Sequence, residues 1–185
     1  MLKGLFNRGQ SHDAAARALY AAVVAQARQP GFYRDIGVPD SIDGRFELIV
    51  LHTVLVLQRL NREDSAAADL GQALFDTLFR DMDRSLREMG AGDLGVGKRV
   101  KHMAQGFYGR LQAYVAGLDE AGPALEEALR RNLYGTVEPQ PWQCEAMAAY
   151  MRAQATGLAA QAREDLLAGR VAFGAPPLPP GGAAA

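Results

Sequence analysis

Apolar residues recur every three or four positions along most of the chain, which is the spacing of one face of an α-helix. No segment alternates apolar and polar residues over a useful length, as a half-buried β-strand would. Two stripes are especially regular: Leu70, Leu74, Leu78, Met82, Leu86 and Met89, and further on Val100, Met103, Phe107, Leu111, Tyr114 and Leu118. The pattern therefore predicts an all-α fold.

Capping and breaking residues divide this pattern into five or six helices. Ser11 can cap the first, which Pro30-Gly31 ends, and Asp43 can cap a second that runs to about Arg62. Residues 32–41 are rich in turn formers and predict a loop. Further helices are expected from about Ser65, after the glycine-rich segment 90–97, from Gly122-Pro123 and from Pro139 to Pro141.

The length of 185 residues suits a single compact domain that buries its own core. We expect this helical domain to span residues 11–170. Residues 1–10 include Lys3 and Arg8 and predict a flexible basic N-terminus without a secretory signal. Residues 171–185 are mostly Pro, Gly and Ala, a composition that buries too little apolar surface to offset the entropy of ordering. They predict a disordered tail.

The most apolar stretch, Phe46 to Leu60, predicts a central core helix rather than a membrane span. Its helical length would be roughly 22 Å, whereas the hydrocarbon core of a bilayer needs about 30 Å. It also contains Glu47 and Arg59. The single cysteine, Cys144, cannot form an intrachain disulfide and fits a reducing compartment, so we expect a cytoplasmic location.

The charge distribution argues against DNA as a partner but leaves other polyanions open. The formal net charge is −1 and the pI is about 6.3, whereas DNA-binding domains usually carry a basic excess. Residues 98–110 nevertheless hold Lys98, Arg99, Lys101 and Arg110 and no acidic residue. This segment could face anionic lipid, RNA or an acidic protein.

Two nucleotide-binding patterns occur in the glycine-rich segment. Residues 90–95 match GxGxxG and residues 92–98 match GxxxxGK. Both motifs need a β-strand before the loop, and the second needs Ser or Thr where this chain has Arg99. The preceding residues instead form an amphipathic helical pattern, so the sequence predicts a flexible turn that binds no nucleotide.

The sequence offers no catalytic residue, metal ligand set or cofactor motif. None of His12, His52 and His102 has the spacing that places two ligands on one helix face, and there is no GxSxG elbow or Cys–His framework. His52 lies among Leu51, Val54 and Leu55, which favours a hydrogen-bonded core histidine. A helical-bundle enzyme with a core haem or metal is therefore the weakest alternative.

Two surface features favour protein recognition. Residues 80–88 alternate in charge on the outward side of the predicted third helix, and Tyr108 points away from the apolar stripe of the fourth. Gly106 and Gly109 flank Tyr108 and indicate either close helix approach or a shallow groove. An exposed aromatic residue beside charged groups is typical of a binding surface.

Several motifs taken together resemble the ubiquinol–cytochrome c chaperone family. The resemblance extends from about Ala16 to Tyr134 and is most specific in its central run. The motifs are Gly37 to Ser41 (GVPDS), Asp43 to Glu47 (DGRFE), Leu51-His52, Asp81 to Gly90 (DMDRSLREMG), Lys98 to Lys101 (KRVK) and Phe107 to Arg110 (FYGR).

The resemblance implies an assembly chaperone, not an enzyme, that binds newly synthesised cytochrome b during biogenesis of the cytochrome bc complex (respiratory complex III). The sequence shows no transit peptide and is rich in Ala, Arg and Gly, which indicates a bacterial member. The resemblance implies no cofactor, and it adds the ribosome and the inner face of the cytoplasmic membrane as candidate partners. The main alternative is a membrane- or RNA-surface binder that uses residues 98–110. The candidate contacts are Arg45, Phe46, His52, Arg80, Asp83, Arg84, Arg87, Glu88, Lys98, Lys101, Tyr108 and Arg110.

Overall fold

The computed structural model describes the backbone of residues 2–63, 65–88 and 93–181, and the side chains of residues 12–63, 65–88, 96–98 and 100–181. Within these residues the chain is helical and has no β-strand, as predicted. The helices are α1 (Leu2–Ala27), α2 (Pro30–Arg34), α3 (Ile42–Leu60), α4 (Ser65–Glu88), α5 (Asp93–Asp119), α6 (Ala124–Asn132), α7 (Pro141–Ala160) and α8 (Arg163–Leu167). The additions to the predicted set are the five-residue helices α2 and α8.

The first two helices differ from the prediction at their ends. The backbone of α1 is already helical at Leu2, well before the predicted cap at Ser11. The helix α2 lies partly within the predicted loop, because Pro30 suits the first helical position and Phe32 is fully buried. Phe32 thus anchors a segment whose Gly37 and Pro39 had indicated only turns.

The N-terminus of α3 is capped by Ser41 rather than by Asp43. The Ser41 hydroxyl accepts a hydrogen bond from the Gly44 N–H at 3.1 Å, and Asp43 lies in the first turn, where the helix dipole favours a negative charge. A Cβ atom at Gly44 would lie 2.0 Å from the carbonyl oxygen of Pro39. Glycine is therefore required where the chain enters this helix.

The predicted core helix is confirmed: residues 47–58 of α3 are all buried. Helices α1, α4, α5 and α7 pack around α3. In the described part of the chain, no helix is both long and apolar enough to cross a membrane. On α4 the apolar stripe is covered at Leu70, Leu74 and Leu78, but Met82 and Leu86 are only partly buried. The end of α4 therefore extends its apolar face beyond the core.

Close approach of helices occurs at Gly117 rather than at Gly106 and Gly109. A Cβ atom at Gly117 would lie 2.7 Å from the Cα atom of Leu125, so this glycine lets α5 and α6 meet backbone to backbone. Gly109 has nothing within 4 Å of such an atom. At Gly106 the nearest neighbour is the guanidinium of Arg110, which lies over it. Gly106 therefore makes no close contact with another helix, and it lines a surface groove instead.

The segment that follows α8 packs against the core at residues 171–174, where the composition predicts disorder. The Phe173 ring meets the His52 ring edge-on, with centroids 5.2 Å apart. The Gly174 N–H donates to Gln154 Oε1 at 2.7 Å, and Gln161 makes hydrogen bonds with both backbone polar groups of Ala172. The Phe173 ring and the side chains of Gln154 and Gln161 therefore hold this segment against the core, although its composition offers little apolar surface. Residues 182–185 lie outside the described residues.

Candidate partner-binding site

An open groove of about 620 Å³ lies where the start of α3, the last turns of α4, the first half of α5 and the end of α6 converge. We call it the apolar groove. Ile42, at the first position of α3, is 69% exposed there although it is a large aliphatic side chain. The apolar lining residues are Ile42, Phe46, Ile49, Leu86, Met82, Met103 and Leu133.

The sequence leaves this groove open for a local reason. Met82 and Leu86 continue the stripe that packs Leu74 and Leu78 into the core, but both are only partly buried and line the groove. Contiguous apolar surface of this kind usually marks a site that another molecule covers. The flexible thioethers of Met82 and Met103 suit a surface that adapts to the shape of its partner.

A partly buried ion pair between α3 and α5 forms one wall of the apolar groove. Arg110 Nε donates to Glu47 Oε2 at 2.7 Å, and Arg110 Nη1 donates to the Gly106 carbonyl at 3.0 Å. Burial raises the pKa of Glu47, and the adjacent Arg110 guanidinium opposes that rise. The hydrogen bond to Glu47 raises the pKa of Arg110. The absent side chain of Gly106 leaves room for this guanidinium.

Charged and polar residues line the rim of the same groove. Asp43, Arg45, His102 and Arg131 surround the apolar floor. Arg45 forms an ion pair with Asp40 at 2.6 Å, and both side chains are more than half exposed. An apolar floor with a mixed-charge rim can hold an apolar or amphipathic helix, whose flanking charges then meet the rim.

Of the twelve candidate contacts, three line the apolar groove: Arg45, Phe46 and Arg110. Tyr108 is 54% exposed, which confirms its predicted exposure, but its ring lies against Phe75 with centroids 5.5 Å apart and does not line the groove. Lys98 and Lys101 are exposed on α5, also outside the groove.

The candidates on α4 lie on its solvent face. Arg87 Nε contacts Asp83 Oδ2 at 2.6 Å, and Arg84 forms an ion pair with Asp81. Arg80 and Glu88 are exposed. These residues share a helix with Met82 and Leu86 but do not line the apolar groove. The candidates therefore divide among several surfaces rather than forming one.

His52 is a core residue, so its inclusion among the contact candidates was wrong. It is 0% exposed, with Nδ1 2.7 Å from the Leu48 carbonyl and Nε2 2.8 Å from the Tyr150 hydroxyl. Desolvation lowers the pKa of His52 to about 4, which keeps the ring neutral at pH 7. Its neighbours are Phe32, Tyr150 and Phe173 rather than carboxylates or a second histidine. In the described chain, no three His, Cys, Asp or Glu residues are grouped to hold a metal ion.

Most of the apolar groove was not predicted from the sequence, although the periodic pattern includes several of its residues. Met82, Leu86 and Met103 share the helical period of buried residues, so the pattern predicts them as core residues. Nothing in that pattern distinguishes Ile42. One available signal was the position of Ile42 between two turn-forming segments, where an aliphatic residue has few neighbours to pack against. Asp43 belongs to the DGRFE motif but was predicted as a helix cap, and Arg131 was not among the predicted contacts.

The described chain is an all-helical domain with an open apolar groove on its surface. The sequence model of the ubiquinol-cytochrome C chaperone family matches residues 34–173, and the chain belongs to that family. It is a family of assembly factors for ubiquinol–cytochrome c reductase, as the resemblance had indicated.

Known relatives agree with this assignment. The crystal structure of the Cbp3 homolog from Brucella abortus superimposes with a TM-score of 0.81 at 40% identity, covering 94% of this chain and 96% of that one. Ubiquinol-cytochrome-c reductase complex assembly factor 1 of Xenopus laevis is 25% identical over 153 residues, 83% of this chain and 76% of the relative. The Mus musculus protein of that name is also 25% identical, but the chain spans only 52% of its length.

Proposed function

We propose that this protein is an assembly chaperone that binds newly synthesised cytochrome b and so supports biogenesis of the cytochrome bc complex. The observation that carries the proposal is the apolar groove, which leaves Ile42, Met82 and Leu86 accessible in a member of an assembly-factor family. Cytochrome b is a membrane protein whose apolar helices need cover before they are assembled. A single apolar helix is the occupant that this groove fits.

The proposal also accounts for the charged rim. Membrane helices commonly carry basic and aromatic residues at their ends. Asp43 at the rim can meet a basic flank of the client, and Arg131 can meet an acidic one or a C-terminal carboxylate. The wall formed by Glu47 and Arg110 keeps α3 and α5 at a fixed separation, so the groove need not form anew for each client.

The proposed role is binding without catalysis and without a cofactor, on a protein that works peripherally at the inner face of the cytoplasmic membrane. The complete burial of His52 rules out that residue as a general base, because a general base must reach its substrate. The ribosome is a further proposed partner. The exposed Lys98 and Lys101 are the residues of α5 that could meet its anionic surface.

Co-purification tests the proposal directly. Tagged protein is captured from pulse-labelled cells of its native host, and cytochrome b in the eluate is quantified for wild type and for Ile42→Asp, which changes an exposed side chain. Truncation of interface anchors commonly costs at least about 2 kcal/mol, so capture should fall roughly 30-fold. The matched control is Leu178→Asp, at an exposed leucine outside the groove. Equal capture by both variants would exclude the groove as the client site.

The deletion strain tests the function independently of the site. We expect loss of the spectroscopically intact bc complex, with other membrane complexes unchanged. Normal amounts of that complex would contradict the proposed function. In the same strain, Tyr108→Ala and a joint Arg84→Ala and Arg87→Ala variant show whether these exposed residues extend the client surface. If they do, each should weaken cytochrome b capture about 30-fold while changing folding stability by only about 0.5 kcal/mol.

A further inference from the structure

A second groove, of about 640 Å³, lies between α1 and α4 on a different side of α4 from the apolar groove. Four arginines surround it, and we call it the arginine groove: Arg17, Arg28, Arg80 and Arg84. All four are exposed. Arg17 and Arg28 are eleven positions apart on one face of α1 and its C-terminal extension, roughly 16 Å along the helix axis. Arg80 and Arg84 are one turn apart on α4.

The arginine groove has an uncompensated positive charge. Asp81 is the one carboxylate among its described lining residues, and it is occupied by an ion pair with Arg84 and by the Tyr20 hydroxyl, which donates at 2.8 Å. Arg17, Arg28 and Arg80 form no ion pair within residues 12–63, 65–88, 96–98 and 100–181. The groove therefore carries a net charge of +3 on a chain whose overall charge is −1.

The chemistry of this groove favours phosphate groups as its ligand. The planar guanidinium fork matches the oxygen geometry of phosphate and remains charged at any physiological pH. Positive groups distributed over a length of about 16 Å suit several phosphates in an array rather than one small anion. Two kinds of array are common in a cell: the headgroups of anionic phospholipids and the backbone of a nucleic acid.

The floor of the arginine groove distinguishes these two sources. Ala21, Val24 and Ala25 lie between the arginines and give an apolar base. The one aromatic residue that lines the groove in the described chain is Tyr20, which is 8% exposed with its hydroxyl bonded to Asp81. Single-stranded nucleic acid is held largely by bases stacked on accessible aromatic rings, and this groove offers none. An apolar base beneath a basic rim instead matches the boundary between headgroups and acyl chains.

We propose that the arginine groove docks the protein on the phosphate headgroups of an anionic phospholipid bilayer. The two grooves lie on neighbouring faces of the last turns of α4, since Arg84 lines one and Ser85 and Leu86 line the other. Docking through the arginines holds the apolar groove beside the membrane surface, where a client helix leaves or enters the bilayer. That consequence rests on the proposed client binding, and lipid docking would supply the peripheral membrane location proposed with it.

Vesicle flotation of the full chain, without any client, tests the proposal. We expect binding to phosphatidylcholine vesicles that contain about one third phosphatidylglycerol and not to phosphatidylcholine alone. A basic residue near an anionic surface contributes about fivefold to binding, so Arg17→Ala with Arg80→Ala should lower the partition coefficient roughly 30-fold. Arg17→Gln with Arg28→Gln should lower the partition coefficient by a similar factor. This second variant keeps the test valid if the first one misfolds.

The matched control removes the same charge elsewhere. Arg34→Ala with Arg170→Ala changes two exposed, ion-paired arginines outside the groove and should change the partition coefficient less than about threefold. An equal loss in the control would overturn the proposal, because binding would then reflect net charge alone. Circular dichroism melting of each variant confirms that the fold is retained.

Two further arms separate the sources of phosphate. Inorganic phosphate that displaces the protein from vesicles more strongly than chloride at equal ionic strength would show a site for the free ion and overturn the proposal. RNA that binds more tightly than vesicles, and loses affinity in the same variants, would also overturn it. Cytochrome b capture by these variants is measured separately in detergent, so failure of lipid docking and failure of the proposed function are distinguishable.

Discussion

Glu47 and Arg110 join α3 to α5 along one wall of the apolar groove, with Arg110 Nε 2.7 Å from a Glu47 carboxylate oxygen. Glu47 is 7% exposed and sits on the most buried helix of the fold. Burial raises the pKa of that carboxyl group, and the Arg110 guanidinium opposes the rise by favouring the charged form. The pair therefore fixes the geometry of the groove wall at an energetic cost that the rest of α3 offsets.

Removal of one member of this pair should destabilise the protein more than removal of both. Arg110→Met leaves Glu47 buried without its partner, and we expect a loss of about 2 kcal/mol in the free energy of unfolding, reduced from the fully buried case because Arg110 is partly exposed. The double variant Glu47→Gln with Arg110→Met should recover part of that loss. Urea denaturation of the four-member cycle measures the coupling, and a coupling near zero would contradict this account.

The buried His52 should make folding stability depend on pH. Its pKa is about 4 in the folded protein against an ordinary value of 6.5, so the unfolded chain binds the proton more readily. The stabilising contribution is complete above pH 6.5 and is lost as the pH falls from 6.5 to about 4, by about 3 kcal/mol in total. Unfolding curves between pH 7 and 4 for wild type and His52→Gln isolate this contribution. Parallel pH profiles for the two proteins would show that His52 does not titrate in this way.

Gly117 and Gly109 lie on the same helix and should respond oppositely to alanine. At Gly117 the new Cβ atom would meet the backbone of Leu125 at 2.7 Å, and we expect a loss of at least about 2 kcal/mol as α5 and α6 separate. Gly109→Ala meets nothing within 4 Å and should gain about 0.5–1 kcal/mol from helix propensity. Chemical denaturation of both variants provides the comparison. A stable Gly117→Ala protein would mean that the two helices are not held at this separation.

The packing of residues 171–174 can be tested through Phe173. Its ring is partly buried against His52, so Phe173→Ala should cost about 1–2 kcal/mol, less than a fully buried phenylalanine. Leu178→Ala, at a side chain that is 45% exposed, is the control and should change stability by no more than about 0.5 kcal/mol. The melting temperatures of both variants, compared with wild type, measure the contribution of this packing to stability. Equal melting temperatures would return the segment to the disordered tail that its composition predicts.

Periodicity in the sequence was sufficient to predict the long helices, because each buries one face. It could not reveal which members of a stripe are covered, since that depends on where neighbouring helices end. Leu78 and Leu86 share one stripe of α4, yet only Leu78 is fully buried. The apolar groove forms where the later residues of the stripe are left partly uncovered, and only the three-dimensional structure shows where that occurs.

The arginine groove was hidden for a related reason. Arg17 and Arg80 are separated by more than sixty positions, and each looks like an ordinary solvated residue on its own helix. Their charges add only because α1 packs against α4 at this point, a relation that no local pattern specifies. The short motifs identified the family, whereas the surfaces depend on how its helices are packed.

The last turns of α4 are a wall of both grooves, with Arg80 and Arg84 on one side and Met82 and Leu86 on the other. An occupant of one groove that displaced these turns would also move the side chains that line the other, because both sets belong to one helix. Thermodynamic linkage then requires reciprocity. If a bound client increases the affinity of the protein for the bilayer, the bilayer increases the affinity of the protein for the client by the same factor. Release of the client would in that case loosen the protein from the membrane without any separate signal.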